Sequence, residues 1–133
     1  MAKESVHQSL VAVDDDPELL RQISKSLGHR FIVLSTSDAA VAMEWVRSDQ
    51  SVKMVMVGQV VHGDAGIKIL ENAMKIRPEV RRILITSYAD IAMLVQGLHC
   101  GTIHRTLGKA SLQRELASRG AAGQAPLAAQ TGH

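Results

Sequence analysis

The sequence predicts an α/β fold in which one doubly wound, five-stranded parallel sheet carries helices on both faces. Short apolar stretches rich in β-branched residues alternate five times with stretches of helical periodicity. The first and third of these stretches are apolar on both faces, as buried parallel strands are. The 133 residues fit one domain with a core of its own. Repeated βα units of this kind are joined by right-handed crossovers.

The strands and helices follow one another in a regular order. Short stretches rich in apolar and β-branched residues predict strands over residues 10–13, 31–34, 52–57, 82–86 and 102–107. Apolar side chains at helical spacing predict helices over residues 18–27, 38–48, 66–76, 89–99 and 111–118. The fifth strand is the most polar of the five, so we expect it near an edge of the sheet.

The predicted helices have recognisable ends and inward faces. Asp16 can cap the first helix with Pro17 as its first residue, Gly28 can end it, and Asp64 can cap the third. The spacing predicts these inward-facing side chains: Leu20, Ile23 and Leu27; Val41, Ala42, Trp45 and Val46; Ile67, Leu70, Ala73 and Met74; Ile91, Leu94, Val95 and Leu98; Leu112 and Leu116.

The chain is organised around its first strand, which runs directly into three consecutive aspartates. If Asp16 caps the first helix, Asp14 and Asp15 remain at the carboxyl end of the strand. Open α/β sheets place their ligand sites at this edge. Three adjacent carboxylates repel one another, so a divalent cation or a lysine is expected to neutralise them.

Composition excludes several classes of function. The net charge of +2, with scattered basic residues, gives no electrostatic case for nucleic acid. Cys100 is the only cysteine, so no intrachain disulfide can form and a reducing cytoplasm is expected. No stretch has the length of a membrane span, and residues 1–6 lack the apolar core of a signal peptide. The six histidines show no zinc-ligand spacing. We expect Arg81 and Arg82 to be exposed to solvent at the start of the fourth strand.

The expected domain covers residues 1–118. The segment 119–133 is dominated by Ala, Gly and Gln without periodicity, and we interpret it as a flexible tail.

The combined features resemble a response-regulator receiver domain. The resemblance rests on the Val-Asp-Asp-Asp-Pro segment, the five βα units, Thr86-Ser87 after the fourth strand and Lys109 after the fifth. It implies a flavodoxin-like (βα)5 fold with strand order 2-1-3-4-5. It also implies that Asp14 and Asp15 bind Mg²⁺, that the Thr86 hydroxyl contacts a phosphoryl group, and that Lys109 pairs with the phosphorylated carboxylate.

The chain departs from the family at the residue that should accept the phosphoryl group. Counting back from Gly66 as the glycine that closes the loop places the acceptor position at Gly58, which has no side chain and hence no nucleophile. His62 stands where the loop usually has proline, Ala110 follows the lysine in place of proline, and Thr106 replaces the usual aromatic. The resemblance is therefore to a degenerate receiver, a pseudo-receiver.

We accordingly expect a phosphorylation-independent protein-interaction module of signal transduction, with no enzymatic activity of its own. Receivers generally bind partners through the face built from the fourth helix, fifth strand and fifth helix. The candidates on that face are Met93, Gln96, His104, Thr106 and Arg114. The expected partner is a histidine kinase or a downstream effector, with no nucleic acid and no membrane involved.

Two alternatives remain open. A phosphotransfer receiver could use Asp14 or Asp15 as a non-standard acceptor. A small flavodoxin-like, nucleotide-binding enzyme would need a phosphate loop or stacking aromatics, and the chain shows neither. With Gly58 in the acceptor position, we expect Lys109 to pair with Asp14 or Asp15. Because Gly58 supplies no carboxylate, any Mg²⁺ site at Asp14 and Asp15 is expected to be weak. We expect no other cofactor.

Overall fold

A computed structural model describes residues 8–86 and 97–122 of the chain. It contains the strands β1 (Ser9–Val13), β2 (Ile32–Thr36), β3 (Val52–Gly58), β4 (Val60–Val61), β5 (Asp64–Ala65), β6 (Arg81–Thr86) and β7 (Arg105–Gly108). It also contains the helices α1 (Pro17–Leu27), α2 (Ala39–Ser48), α3 (Gly66–Ile76) and α4 (Lys109–Ala122).

The five longer strands form one parallel sheet in the order β2-β1-β3-β6-β7. The first, second, third, fourth and fifth strands predicted from the sequence correspond to β1, β2, β3, β6 and β7, so the predicted order 2-1-3-4-5 is confirmed. The most polar strand, β7, lies at an edge. In this order β1 and β3 are neighbours, so their carboxyl ends, with Asp14 and Gly58, come together.

Two apolar clusters cover the two faces of the sheet, as expected for buried parallel strands. One cluster joins β-strand side chains to α2 and α3 and is built around Val11, Val55, Leu70 and Leu84. The other joins the opposite face to α1 and α4, with Leu10, Leu19, Met56, Ile83 and Leu116 among its members.

The bounds of α1, α2 and α3 lie within one residue of the predicted ones, whereas α4 is longer than predicted at both ends, and the buried faces of the first three helices are rotated. In α1 the buried residues are Leu19, Ile23 and Leu27, while Leu20 is half-buried. In α2 they are Ala42, Met43 and Val46, and Val41 is 39% exposed. In α3 they are Gly66, Ile69, Leu70 and Ala73. In α4 Leu112 and Leu116 are buried as predicted. The differences arise because neighbouring positions on a helix share one broad apolar stripe, and packing selects among them.

Three local predictions need correction. Residues 58–65, between the predicted third strand and third helix, contain a small antiparallel hairpin of β4 and β5 where the sequence predicts only a loop. Asp64 lies in that hairpin, and the residue before α3 is Ala65, which makes no side-chain cap. Arg82 is not solvated: it is 4% exposed, because it lies on the same face of β6 as Leu84 and that face is covered.

Some predictions fall outside the described residues. Of the predicted helix 89–99, only residues 97–99 are described, and they are helical. Helix α4 extends to Ala122, so the first four residues of the predicted tail are helical, while residues 123–133 lie outside the description. No helix in the described part of the chain is long and apolar enough to cross a membrane.

Candidate functional site

Gly58 ends β3 at the carboxyl edge of the sheet, where the receiver resemblance places the phosphoryl acceptor. The Gln59 N–H donates to the Ile85 carbonyl over 2.7 Å, and the Gly66 N–H donates to the Gln59 carbonyl over 2.8 Å. A Cβ at Gly66 would overlap the Gly58 carbonyl oxygen, so this close approach requires glycine at position 66. Gly66 therefore closes the loop onto Gly58, as the count along the sequence predicted.

The carboxylate of Asp14 occupies the space beside Gly58. A Cβ at Gly58 would overlap Asp14 Oδ2 and lie 3.0 Å from its Cγ. Asp14 is 4% exposed, and its Oδ1 accepts a hydrogen bond of 2.9 Å from the Asp16 N–H. Burial raises the pKa of Asp14, although the Asp16 N–H and the charge of Lys109 act in the opposite direction. The carboxylate thus fills a position that an acceptor side chain would need.

Lys109 pairs with Asp16 rather than with Asp14 or Asp15. Its Nζ lies 3.0 Å from Asp16 Oδ2, and each side chain is 28% exposed. The other oxygen, Asp16 Oδ1, accepts from the N–H groups of Glu18 and Leu19, so Asp16 caps α1 as predicted. The hydrogen bond between the two side chains lowers the pKa of Asp16 and raises that of Lys109. The expected partner was wrong because Asp16 can cap the helix and bind the ammonium simultaneously.

Asp15 is exposed and faces the β4–β5 hairpin. Its Oδ2 accepts a hydrogen bond of 3.0 Å from the His62 N–H. His62 and Gly63 form the two-residue turn of the hairpin, with φ values of 50° and 83°. Positive φ at both positions matches a type I′ turn, which commonly joins short antiparallel strands. The His62 side chain is exposed and lines a groove of about 550 Å³ between the hairpin, the first turn of α2 and α3.

The three aspartates do not converge on a common point. Asp14 is directed toward Gly58, Asp15 toward the hairpin and Asp16 toward Lys109. Within residues 8–86 and 97–122, no three acidic, histidine or cysteine side chains are grouped so that they could hold a metal. Asp14 and Asp15, the two carboxylates that the receiver resemblance assigns to Mg²⁺, are directed at different neighbours in this structure, and we derive no step through a metal. Thr86 ends β6 at the same edge of the sheet, paired in register with Gly108.

The residues predicted for partner binding are only partly described. Met93 and Gln96 lie outside the described residues. His104 precedes β7, Thr106 is half-buried within it, and Arg114 is exposed on α4 with its Nη2 3.3 Å from Ser111 Oγ.

Comparison with known families identifies the class of the protein. Residues 10–119 match the response regulator receiver domain family, and the chain belongs to that family. It is 26% identical over 94 residues to the photosynthetic apparatus regulatory protein RegA of Cereibacter sphaeroides. That match covers 71% of this chain and 51% of RegA, so the chain spans about half the length of this relative.

Solved structures have the same fold. A CheY-like receiver domain from Methanospirillum hungatei gives a TM-score of 0.70 at 19% identity, covering 85% of this chain and 96% of the other. A structure described as adenylate cyclase from Rhodopirellula baltica gives 0.72 at 20% identity, covering 84% and 86%. A Burkholderia pseudomallei response regulator with a phosphorylated aspartic acid gives 0.68 at 18% identity, covering 88% and 71%.

The sequence did not reveal two contacts at this edge of the sheet, or the burial of Arg82 near the start of β6. The Asp16–Lys109 pair was missed because Asp16 was assigned to capping alone. The Asp15–His62 contact uses a backbone N–H, which no side-chain pattern reports. The burial of Arg82 was missed because both faces of a parallel strand are covered and alternation gives no signal there.

Proposed function

We propose that this chain is a receiver domain of signal transduction that works without phosphoryl transfer, as a protein-interaction module. The proposal rests on one observation: the Asp14 carboxylate occupies the space beside Gly58, where a side chain at position 58 would lie. A glycine offers no nucleophile. Because the carboxylate of a neighbouring strand fills the adjacent space, the site is packed around the glycine and has no empty acceptor position.

The remaining groups at this edge support the same conclusion. In a phosphorylated receiver the lysine would face the modified carboxylate. Here Lys109 is held by Asp16 at 3.0 Å, and Asp16 is itself fixed by capping α1. Asp15 is held by the His62 N–H. Each charged group of the site has a partner inside the domain, so the arrangement is stable without an added phosphoryl group.

The partner is a signalling protein, a histidine kinase or a downstream effector, bound without nucleic acid or membrane. The surface we assign to it includes His104, Thr106 and Arg114 at β7 and α4. The membership of the receiver family supports this role, because the family is regulatory. We assign no catalytic activity to the chain, and we keep the expectation from its single cysteine that it works in the cytoplasm.

A second candidate function is phosphotransfer to Asp15. It is favoured over Asp14 by exposure, because Asp15 is exposed while Asp14 is 4% exposed.

Intact-mass measurement after incubation with acetyl phosphate and Mg²⁺ tests the proposal. We expect no phosphoryl adduct on the wild type. An adduct that disappears in Asp15→Asn would establish the second candidate instead. Gly58→Asp is the positive arm: it places a carboxylate near Thr86 and Lys109, and should gain an adduct slowly because Asp14 must first swing out of its place. Asp14→Asn is the parallel variant: a wild-type adduct that disappears in it would overturn the proposal and assign the acceptor to Asp14.

A further inference from the structure

The start of β7 is joined to β6 by a histidine side chain. The His104 N–H donates to the Arg82 carbonyl over 2.8 Å, as a parallel ladder requires. The return bond is unusual: the Arg82 N–H donates to His104 Nδ1 over 2.9 Å. The imidazole therefore takes the place of a backbone carbonyl at the edge of the sheet.

This geometry fixes the protonation of the ring. A backbone N–H can only donate, so Nδ1 must carry a lone pair, and the proton of the neutral ring is on Nε2. Nε2 lies 3.5 Å from Arg82 Nη2, and both nitrogens then carry hydrogen, so no hydrogen bond joins them. A second proton would place an N–H on Nδ1 opposite the Arg82 N–H and bring a positive ring beside the guanidinium.

The guanidinium of Arg82 ties the surrounding segments together. It is buried, and it donates to the carbonyls of Pro78 and Val80 before β6 and of Gly101 and Thr102 before β7, over 2.9 to 3.0 Å. None of these recorded contacts is to a carboxylate. Among the described residues, backbone oxygens and no carboxylate solvate its charge, and this charge acts on the neighbouring imidazole.

We propose that His104 and Arg82 form an acid-sensitive latch, which holds the start of β7 on β6 while the imidazole is neutral and opens when it is protonated. The charged groups that face the imidazole are Arg82 and Arg81, both on β6, and both are cationic. In the described part of the chain no carboxylate contributes to its titration. The latch is a property of the sheet edge and does not rest on the proposed function.

The direction of the pH effect follows. The His104 residue as a whole is exposed, but partial desolvation of its ring, followed by the charges of Arg82 and Arg81, lowers the pKa of His104 below its ordinary value of 6.5. Below that value the unfolded chain binds the proton more readily than the folded chain does. Stability is therefore lost as the pH falls from 6.5 toward the lower pKa of the folded state.

Nuclear magnetic resonance on the full ¹⁵N-labelled chain tests the latch without a partner. At about pH 7.5 we expect a nitrogen–nitrogen coupling across the hydrogen bond between Arg82 N and His104 Nδ1, and the Nε2–H tautomer. On acidification through the titration of His104 the coupling should vanish. Exchange of the Arg82 amide, corrected for its intrinsic pH dependence, should accelerate as the pH falls from 6.5 toward the lower pKa of the folded state, by up to about tenfold per pH unit in that interval. A proton on Nδ1 at about pH 7.5 would overturn the proposal.

Two variants complete the test. His104→Asn offers Oδ1 as an acceptor that does not titrate, so Arg82 amide protection should survive and its extra response to acid should disappear. His29→Asn removes an exposed histidine elsewhere and should leave the response intact. An acid response that persists unchanged in His104→Asn would assign the effect to another group and refute the latch. If that variant fails to fold, the wild-type coupling and tautomer decide the question.

Discussion

Asp14 and Gly58 are 44 positions apart in the printed sequence, yet one residue occupies the space that the other leaves. The contact exists because β1 and β3 are neighbours in the sheet and end at the same edge. Three questions about single side chains follow. One is whether position 58 tolerates a Cβ, and another is whether the domain is more stable with the buried Asp14 carboxylate charged or neutral. The third is how much Asp16 contributes to stability as a helix cap and as the partner of Lys109.

Gly58→Ala should destabilise the domain by about 1–3 kcal/mol, the usual cost of forcing atoms into a packed site. The added Cβ overlaps Asp14 Oδ2, while the backbone itself permits alanine. Urea unfolding measures the effect. Gly108→Ala is a matched control, because the new Cβ would lie 3.8 Å from Ser111 Oγ, an ordinary contact. In an Asp14→Ala background the cost of Gly58→Ala should shrink, and an unchanged cost would refute the steric account.

Asp14→Asn should stabilise the domain near neutral pH. The amide keeps an oxygen for the Asp16 N–H and removes a buried charge beside Asp15 and Asp16. Because the folded pKa is raised above 3.8, the folded state holds the proton longer, and wild-type stability falls as the pH rises through that interval. Urea midpoints at several pH values should show this fall in the wild type and less of it in the variant. A lower midpoint for Asp14→Asn at pH 7 would contradict the argument.

Asp16→Ala should cost more than Asp16→Asn, because asparagine keeps the cap of α1 and loses only the charge. We expect about 1 kcal/mol for the cap and less than about 1 kcal/mol for the partly exposed pair with Lys109. The pKa of Asp16 is lowered, so this stability is present above 3.8 and is lost as the pH falls through the folded value. Urea unfolding of both variants at neutral pH separates the two contributions, and equal losses would mean that the cap contributes nothing.

At the scale of elements, the β4–β5 hairpin is the feature that distinguishes the loop after β3. Its turn places a non-glycine residue, His62, at a positive φ, and Asp15 holds the turn by the His62 N–H. This bond links the first βα loop to the third. The hairpin is therefore tied to the acidic edge of the sheet, and its conformation should respond to changes in the turn residues.

His62→Asn should stabilise the domain by up to about 1 kcal/mol, because asparagine adopts the left-handed conformation more readily. His62→Val should destabilise it, since a β-branched residue is strained at a φ of 50°. Thermal or urea unfolding distinguishes the two. If His62→Asn were clearly destabilising, the imidazole would be making a contact that outweighs the backbone strain.

At the scale of the whole molecule, alternation of apolar strands and amphipathic helices was enough to predict the parallel sheet, whereas the acceptor position at Gly58 came from the family resemblance and the count back from Gly66. The count back from Gly66 is reliable because Gly66 closes the loop. Residue spacing does not reveal contacts made by backbone groups or by a side chain that has two roles, and Lys109 was assigned to the wrong aspartate for this reason. Nor does it separate a buried polar residue from a solvated one on a covered strand, as Arg82 shows.

The most direct test of the central claim is the amide spectrum of the full chain with and without beryllofluoride, a mimic of the phosphoryl group, in the presence of Mg²⁺. The mimic binds at an acceptor carboxylate and draws the surrounding groups toward it. Since Gly58 has no carboxylate and Lys109 is held by Asp16, we predict no change in the resonances of residues 14–16, 58, 86 and 109 relative to Mg²⁺ alone. Saturable shifts at these residues would contradict the account and show a working acceptor.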